Sequence, residues 1–441
     1  ERSTPSLSSG ELQRLRLATQ LGSQLFGVIY VLDEPSAGLH PADAEALFTA
    51  LQRLKAAGNS LFVVEHDVQT MRRADWLVDV GPAAGERGGQ VLYSGPPAGL
   101  VDVAQSQTRA YLFAEQAPPR RTARSPQGWL RLAGITRNNL KALDAEFPLG
   151  CFTAVTGVSG SGKSSLVSQA LLELVGAHLG KASVGDEAPA LDLEDDAPVS
   201  SGGRVVAGME QIKRLVQVDQ KPIGRTPRSN LATYTGLFDH VRKLFAATPE
   251  ARERGFDAGQ FSFNVAKGRC PACEGEGWQG LNIAQVLQLS VEQALPVFAE
   301  QPGIRRALEV LRDIGLDYLR LGQPATELSG GEAQRIKLAT ELQRNARGAT
   351  LYVLDEPTTG LHPRDVDRLL EQLDKLVAAG HSLVVVEHEM RVVAQADWVV
   401  DIGPGAGDEG GRLVACGTPE QLARQGDSRT APFLAAALAG D

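Results

Sequence analysis

The sequence predicts an α/β chain: two copies of one strand–helix unit with a mostly parallel sheet, the second interrupted by an inserted, mainly helical subdomain. Three observations predict it. VLDEPSAGLHP, from Val31, returns as VLDEPTTGLHP from Val353. Each copy alternates apolar runs of strand length with helical patterns. One glycine-rich loop, GVSGSGKSS from Gly157, stands between a strand pattern and a helix pattern. In such sheets the ligand groups collect at the carboxyl ends of the strands.

The repeat extends beyond that motif. LSSGELQRLRLATQL from Leu7 matches LSGGEAQRIKLATEL from Leu328, LFVVEH from Leu61 matches LVVVEH, and ADWLVDVGP from Ala74 matches ADWVVDIGP. The interval from Asp33 to Asp355 equals that from His66 to His388. Solenoid repeats are short, adjacent and numerous, so this arrangement is two domains and not an array. In the first copy, Leu12, Leu15, Leu17 and Leu21 have helical spacing. Val28 to Leu32 reads as a strand buried on both faces, stopped by Pro35. A helix from about Ala42 to Ala57 ends at Gly58. Leu61 to Val64 reads as a second buried strand, ending in Glu65-His66. Asp33, Glu34 and His66 therefore share one end of the predicted sheet.

Bulk properties bound the function. The chain has 441 residues, 43% hydrophobic and 22% charged, the values of a globular protein of two or more domains. No apolar run reaches the roughly 18–20 residues of a membrane span, and no signal peptide is visible. Four cysteines make no disulfide framework, so a reducing, cytoplasmic location is expected. Cys151 and Cys416 fall in strand patterns and read as core residues. Net charge is −9, so any nucleic-acid surface must be a local basic patch.

The loop Gly157 to Ser165 carries phosphate chemistry. It fits G-x-x-x-x-G-K-[ST], with Thr153 to Thr156 as the preceding strand and Ser164 to Leu174 as the following helix. Gly157, Gly160 and Gly162 let backbone N–H groups approach an anion, with Ser159, Ser161 and Ser165 beside them. Lys163 supplies positive charge to the β/γ-phosphates, and Ser164 a hydroxyl to Mg²⁺. Asp355 is placed to help hold Mg²⁺, Glu356 to orient or deprotonate an attacking water, and His388 to touch the γ-phosphate. A lone histidine of this kind is usually structural. Its twin, His66, at the same strand end argues otherwise.

These motifs together resemble the ABC-type ATPases. That resemblance implies that each ATP is sandwiched between two nucleotide-binding domains. Ser8, Ser9 and Gly10 would face the ATP on Lys163 from a helix N-terminus, where N–H groups and the helix dipole favour an anion. Ser9 replaces the Gly330 of the second copy, a departure that crowds this turn. Ser329, Gly330 and Gly331 would face a P-loop expected before Glu1. The first-copy site of Asp33, Glu34 and His66 is then incomplete here. Residues 1–100 read as the carboxyl-terminal half of a first nucleotide-binding domain, 101–128 as a linker, and 129–441 as a second domain with 172–325 inserted.

A closer resemblance is to the UvrA family, carried by VDQKPIGRTPRSNLATYTGLFDHVRKLFA from Val218, GQFSFNVAKGRCPACEGEGW from Gly259 and NNLKALDAEFPLG from Asn138. It covers nearly the whole chain, as that family's second half plus the end of its first. It implies ATP-dependent recognition of damaged duplex DNA in bacterial nucleotide excision repair, a homodimer, and a UvrB-type helicase partner whose docking region lies in the missing first half. It places Gln220 near the loop linking nucleotide to insert. Cys270 and Cys273 resemble half of a zinc site; the family's second Cys-x-x-Cys is absent, so zinc stays open. Lys221, Arg225, Arg228, Arg242 and Lys243 form the basic cluster expected to meet DNA phosphates. The rival readings are a nucleotide-binding subunit of an ABC transporter, and a UvrA-like paralogue concerned with drug resistance that uses ATP as a switch.

Overall fold

The computed structural model describes residues 26–83, 88–113, 122–180, 202–220, 223, 229–261, 281–343 and 348–440, with Leu15, Ala18 and Thr19. Two compact units emerge. One holds 1–82, 90–217 and 347–441; the other holds 83–89 and 218–346.

In the larger unit, the first repeat supplies β1 (Ile29–Asp33) and β2 (Ser60–Val64), which pair in parallel with Tyr30 opposite Leu61. The helix Pro41–Ala56 connects them and buries Leu47, Leu51 and Leu54. That spacing puts one leucine per turn on a single face. β3 (Leu77–Gly81) and β4 (Gln90–Gly95) form a separate antiparallel pair. Next come β5 (Gly128–Ile135), β6 (Leu143–Leu149), β7 (Phe152–Thr156), β8 (Gly202–Ala207) and β9 (Arg214–Val218). The second repeat gives β10 (Thr350–Asp355), β11 (Ser382–Val386), β12 (Trp398–Gly403) and β13 (Arg412–Gly417). Six strands form one sheet in the order β13-β12-β7-β11-β10-β9, while β6-β5-β8 form a second, antiparallel sheet. β7 is parallel to both neighbours, so the phosphate loop leaves the centre of the sheet.

The two repeats differ in what covers them. Leu351, Val353, Val384 and Val386 are buried against Leu166, Val167, Ala170, Leu171 and Val175 of the helical segment that follows β7. Their first-repeat counterparts are Ile29, Val31, Phe62 and Val64. Among the described residues no layer covers them: Val31 is 74% and Phe62 61% exposed. The expectation of a strand buried on both faces therefore fails for β1 and β2. The apolar alternation is present, but β2 and β3 lie in separate sheets, whereas β11 and β12 both flank β7. Leu15 is helical and exposed; Leu12, Leu17 and Leu21 lie outside the described residues.

Two further expectations change. Residues 101–128, read as a linker, contain the helix Gln107–Leu112, whose Thr108, Tyr111 and Leu112 are buried. Tyr111 Oη donates to Asp367 Oδ2 at 2.9 Å, which fastens this helix to the second repeat. Cys151 is buried, but Cys416 lies exposed on β13, the edge strand of the six-stranded sheet.

The smaller unit is mainly helical. Helices Leu237–Ala246, Pro302–Asp313 and Gly330–Gln343 pack Phe238, Val241, Phe245, Leu308, Leu311 and Ile336 into one core with Phe298. Three of its short helices begin with reciprocal side-chain caps, at Asn230, Asn282 and Ser290.

Candidate nucleotide site

The phosphate loop is built for close approach. Gly157, Gly160 and Gly162 have φ of 137°, 75° and 112°, which disfavour any side chain. A β-carbon on Gly157 would lie 2.0 Å from Ile402 O, and one on Gly162 2.8 Å from Asn139 Oδ1. Lys163 Nζ is buried and donates to Gly157 O and Val158 O, each at 2.9 Å. Burial pushes Lys163 down to about 8, against the pull of Glu356, Asp43 and Asp355. The hydroxyls of Thr156 and Ser161 are buried without a partner. Ser164 is exposed at the mouth of the loop, while Ser165 is buried and its Oγ accepts from Asn138 Nδ2 at 2.8 Å. A cradle closed to β-carbons, with a buried cation and orphaned hydroxyls, fits a polyphosphate and its divalent cation.

Three predicted groups converge on that cradle. Asp355 ends β10 and accepts from Ser168 Oγ at 2.8 Å. Glu356 follows in the left-handed region, φ 44°, with its N–H on Val386 O. That strain aims its carboxylate at His388, whose Nε2 lies 3.4 Å from Glu356 Oε1. Burial works to raise the Glu356 carboxyl, but the facing His388 and then Lys163 outweigh it and hold it below its usual value. His388 is itself lowered, by burial and then by Lys163. Its Nδ1 is buried with no partner.

The first repeat repeats this geometry without a phosphate loop beside it among the described residues. Glu34 also has φ 44°, and His66 Nε2 lies 3.5 Å from Glu34 Oε1. Burial raises the Glu34 carboxyl. Asp33 ends β1 as Asp355 ends β10.

The structure adds residues that the motifs alone did not single out. Glu387 accepts from Thr358 Oγ1 at 2.6 Å and from the N–H groups of Thr358, His388 and Glu389. It thereby fixes the turn after Glu356 to the turn bearing His388, although burial pushes its pKa up to about 7. Glu65 does the same through Ser36 and His66. Asp43, in the first repeat, accepts from the Ser159 N–H of the phosphate loop at 2.7 Å. The turns also interlock. A β-carbon on Gly38 would lie 2.6 Å from Glu356 Oε2, and one on Gly360 2.9 Å from Glu34 Oε2. Each repeat thus lays a glycine against the other's carboxylate. The paired VEH and GLHP motifs were the available signal.

Other predicted residues fall elsewhere. Ser329 starts the helix Gly330–Gln343, its N–H and hydroxyl held by Glu332 Oε2, with Gly331 in the first turn. Gln220 lies against Gly330 in the smaller unit. Ser8, Ser9, Gly10, Lys221, Arg225, Arg228, Cys270 and Cys273 lie outside the described residues. Arg242 pairs with Asp239 and covers the Phe238 ring at 5.7 Å, and Lys243 is exposed. No group of metal-ligating side chains occurs among the described residues, and no described helix is long and apolar enough to cross a membrane.

Comparison with known proteins agrees with this geometry. The ABC transporter family model matches residues 140–359. UvrABC system protein A of Streptomyces coelicolor is 48% identical over 475 aligned positions, covering 100% of this chain and 46% of that protein. The protein of the same name from Thermus thermophilus is 49% identical over 469 positions, covering 99% and 48%. Both alignments are longer than the 441-residue chain, so each relative has residues with no counterpart here. The crystal structure of UvrA2 from Deinococcus radiodurans superimposes with a TM-score of 0.90 at 61% identity, covering 99% of this chain and 55% of that one. The archaeal ABCE1 structure, at 19% identity and a TM-score of 0.55, shares the fold. The chain spans about half the length of the curated relatives it matches. By its repeat, its phosphate loop and these likenesses, the chain belongs to the UvrA family and has the ABC-type nucleotide-binding fold.

Proposed function

We propose that the chain binds and hydrolyses ATP and uses that cycle in recognising damaged duplex DNA for nucleotide excision repair. The observation that carries the enzymatic part is the meeting of Lys163, Glu356 and His388, with Asp43 and Gly38 of the first repeat closing on the same point. Gly157 to Ser165 would hold the phosphates, and Lys163 would neutralise them. Glu356, kept ionised by His388 and Lys163, would orient and accept a proton from the attacking water. Mg²⁺, held by Ser164 and Asp355, would supply electrostatic stabilisation of phosphate charge. Ser8, Ser9 and Gly10 would close on the same ATP. Ser329, Gly330 and Gly331, with Asp33, Glu34 and His66, would belong to a second site completed by another phosphate loop. Gln220 would couple nucleotide state to the helical unit.

The DNA part rests on family membership together with the Lys221, Arg225, Arg228, Arg242 and Lys243 cluster. Phosphate contacts of that kind give salt-dependent, sequence-insensitive binding, which suits a sensor of duplex deformability. The family's homodimer, its UvrB-type partner and a cytoplasmic location belong to the same proposal. Cys270 and Cys273 would give a zinc ion two of its four ligands. The 61% identity to UvrA2, against 48–49% to the UvrABC system proteins, favours a UvrA2-type paralogue as the second reading.

Glu356→Gln tests the first part. Hydrolysis should fall by at least about 10²-fold while ATP affinity is retained, since the general base is lost and the cradle is not. Undiminished hydrolysis would remove the site from Glu356. Binding to damaged and intact duplex, titrated against salt, tests the second part; equal affinities would remove damage recognition.

A further inference from the structure

Two interlocked hydrogen-bond chains join the repeats, and the proposed hydrolysis uses neither. His40 closes the GLHP turn of the first repeat and is fully buried. Its Nδ1 accepts the Ala42 N–H at 3.2 Å, capping the helix Pro41–Ala56. The proton of the neutral ring therefore sits on Nε2, which faces Thr430 Oγ1 at 3.0 Å. Thr430 Oγ1 donates in turn to Asp401 Oδ1 on β12 at 2.9 Å, and Ser428 Oγ holds Asp401 Oδ2 at 2.6 Å. The His40 ring stands edge-on to His388, with centroids 6.1 Å apart at 84°, and to Phe433 at 5.9 Å. The second chain is the first with the repeats exchanged. His362 Nδ1 accepts the Arg364 N–H, its Nε2 lies 3.3 Å from Thr108 Oγ1, and Thr108 donates to Asp79. Its ring stands edge-on to His66 at 6.4 Å. Asp79, Thr108 and His40 occupy the repeat positions of Asp401, Thr430 and His362.

We infer that His40 is a positioning residue for the second repeat's site: tied to Asp401 through Thr430, its ring fixes the His388 imidazole against Glu356. The inference rests on reading Lys163, Glu356 and His388 as a hydrolytic site. Three observations carry it. First, the buried Nδ1 of His388 has no hydrogen-bond partner, so no bond on that side sets the ring's orientation and packing must do so. Second, a helix cap needs only the Nδ1 of His40, and asparagine or serine caps as well. The imidazole adds a donor on its far side, and that donor crosses to the other repeat. Third, Gly38 of the same turn touches Glu356. One short segment thus meets both members of the Glu356–His388 pair. Burial, with His388 next, pushes His40 down to about 3, so the ring stays neutral at neutral pH.

Two substitutions separate capping from positioning. His40→Asn keeps an acceptor where Nδ1 stood but cannot reach Thr430. His40→Gln keeps a donor near Nε2 and loses the cap. Positioning predicts that His40→Asn lowers kcat about tenfold with ATP affinity within about twofold, the loss of one buried hydrogen bond and a ring contact. Thr430→Val should match it, and the double variant should lose less than the product of the two. His40→Gln, which loses the ring as well as the cap, should lose kcat to a similar extent. If His40→Asn hydrolyses like wild type while His40→Gln is impaired, His40 is a cap only and the inference falls. Glu356→Gln in the same preparation tests the site reading independently. Ring ¹⁵N spectra of histidine-labelled protein need no turnover. The His388 signals should move in Thr430→Val, which keeps the His40 ring and its cap; unmoved signals there overturn the inference.

Discussion

Gly38→Ala perturbs the contact between repeats at one atom. Gly38 has φ +67°, and a β-carbon there would lie 2.6 Å from Glu356 Oε2, where ordinary contact begins at 3.4 Å. Two costs separate. The left-handed backbone with a β-carbon costs ~1–2 kcal/mol of stability. The clash itself is cheap for stability, because the atom in the way is the far end of a side chain and not backbone. It is expensive for function, because that atom is the carboxylate. The oxygen must withdraw by on the order of 1 Å, a misplacement that costs roughly 10²-fold in a positioned reaction. Gly58→Ala is the matched control: φ +86°, with nothing within 4 Å of the added carbon. Both variants should lose the same ~1–2 kcal/mol in urea unfolding. Only Gly38→Ala should lose kcat, by about tenfold to 10²-fold, with ATP affinity nearly unchanged. Equal kcat in the two variants would refute the contact between the first repeat and Glu356.

Further outcomes follow from the same geometry. Lys163 is held near 8, below its ordinary 10.5, so between those pH values the unfolded chain binds more protons. The nucleotide-free protein should therefore gain stability as pH rises from 8 to 10, and Lys163→Met should lose that gain in pH-dependent thermal unfolding. Glu387→Gln should lower stability by ~2–3 kcal/mol in urea, because its amide would place N–H groups against backbone N–H donors. Phe62→Ser should be nearly neutral, whereas Val384→Ser, at the equivalent repeat position but 1% exposed, should cost about 2 kcal/mol or more. Equal costs would contradict the uncovered face of β1 and β2.

The sequence made legible whatever local pattern dictates. The five glycines and serines of the loop before Lys163, the strand ends at Asp355 and His388, and the helix ending at Gly58 all follow from spacing and residue type. What it hid depends on neighbours distant in the chain. Val31 and Val353 each open a VLDEP motif, yet among the described residues only Val353 has Leu166 to Val175 above it. Pattern reports an apolar face and not its cover. Ser106 and Thr108 match Ser428 and Thr430, so the repeat runs into a stretch that composition alone reads as linker. His40 and His362 stood in plain view within GLHP. Their role was invisible because each bonds across to the other repeat, and periodicity within one element carries no trace of that. Cys416 shows the same limit: an apolar strand pattern does not say which strand is the edge.

The most direct test is the structure of the Glu356→Gln chain with ATP and Mg²⁺ bound. The account predicts the triphosphate on Lys163 in the Gly157–Gly162 cradle, with Gly38 and His40 of the first repeat packed against residue 356 and His388. A triphosphate bound on Lys163 while the Gly38–His40 turn stands clear of both residues would contradict it.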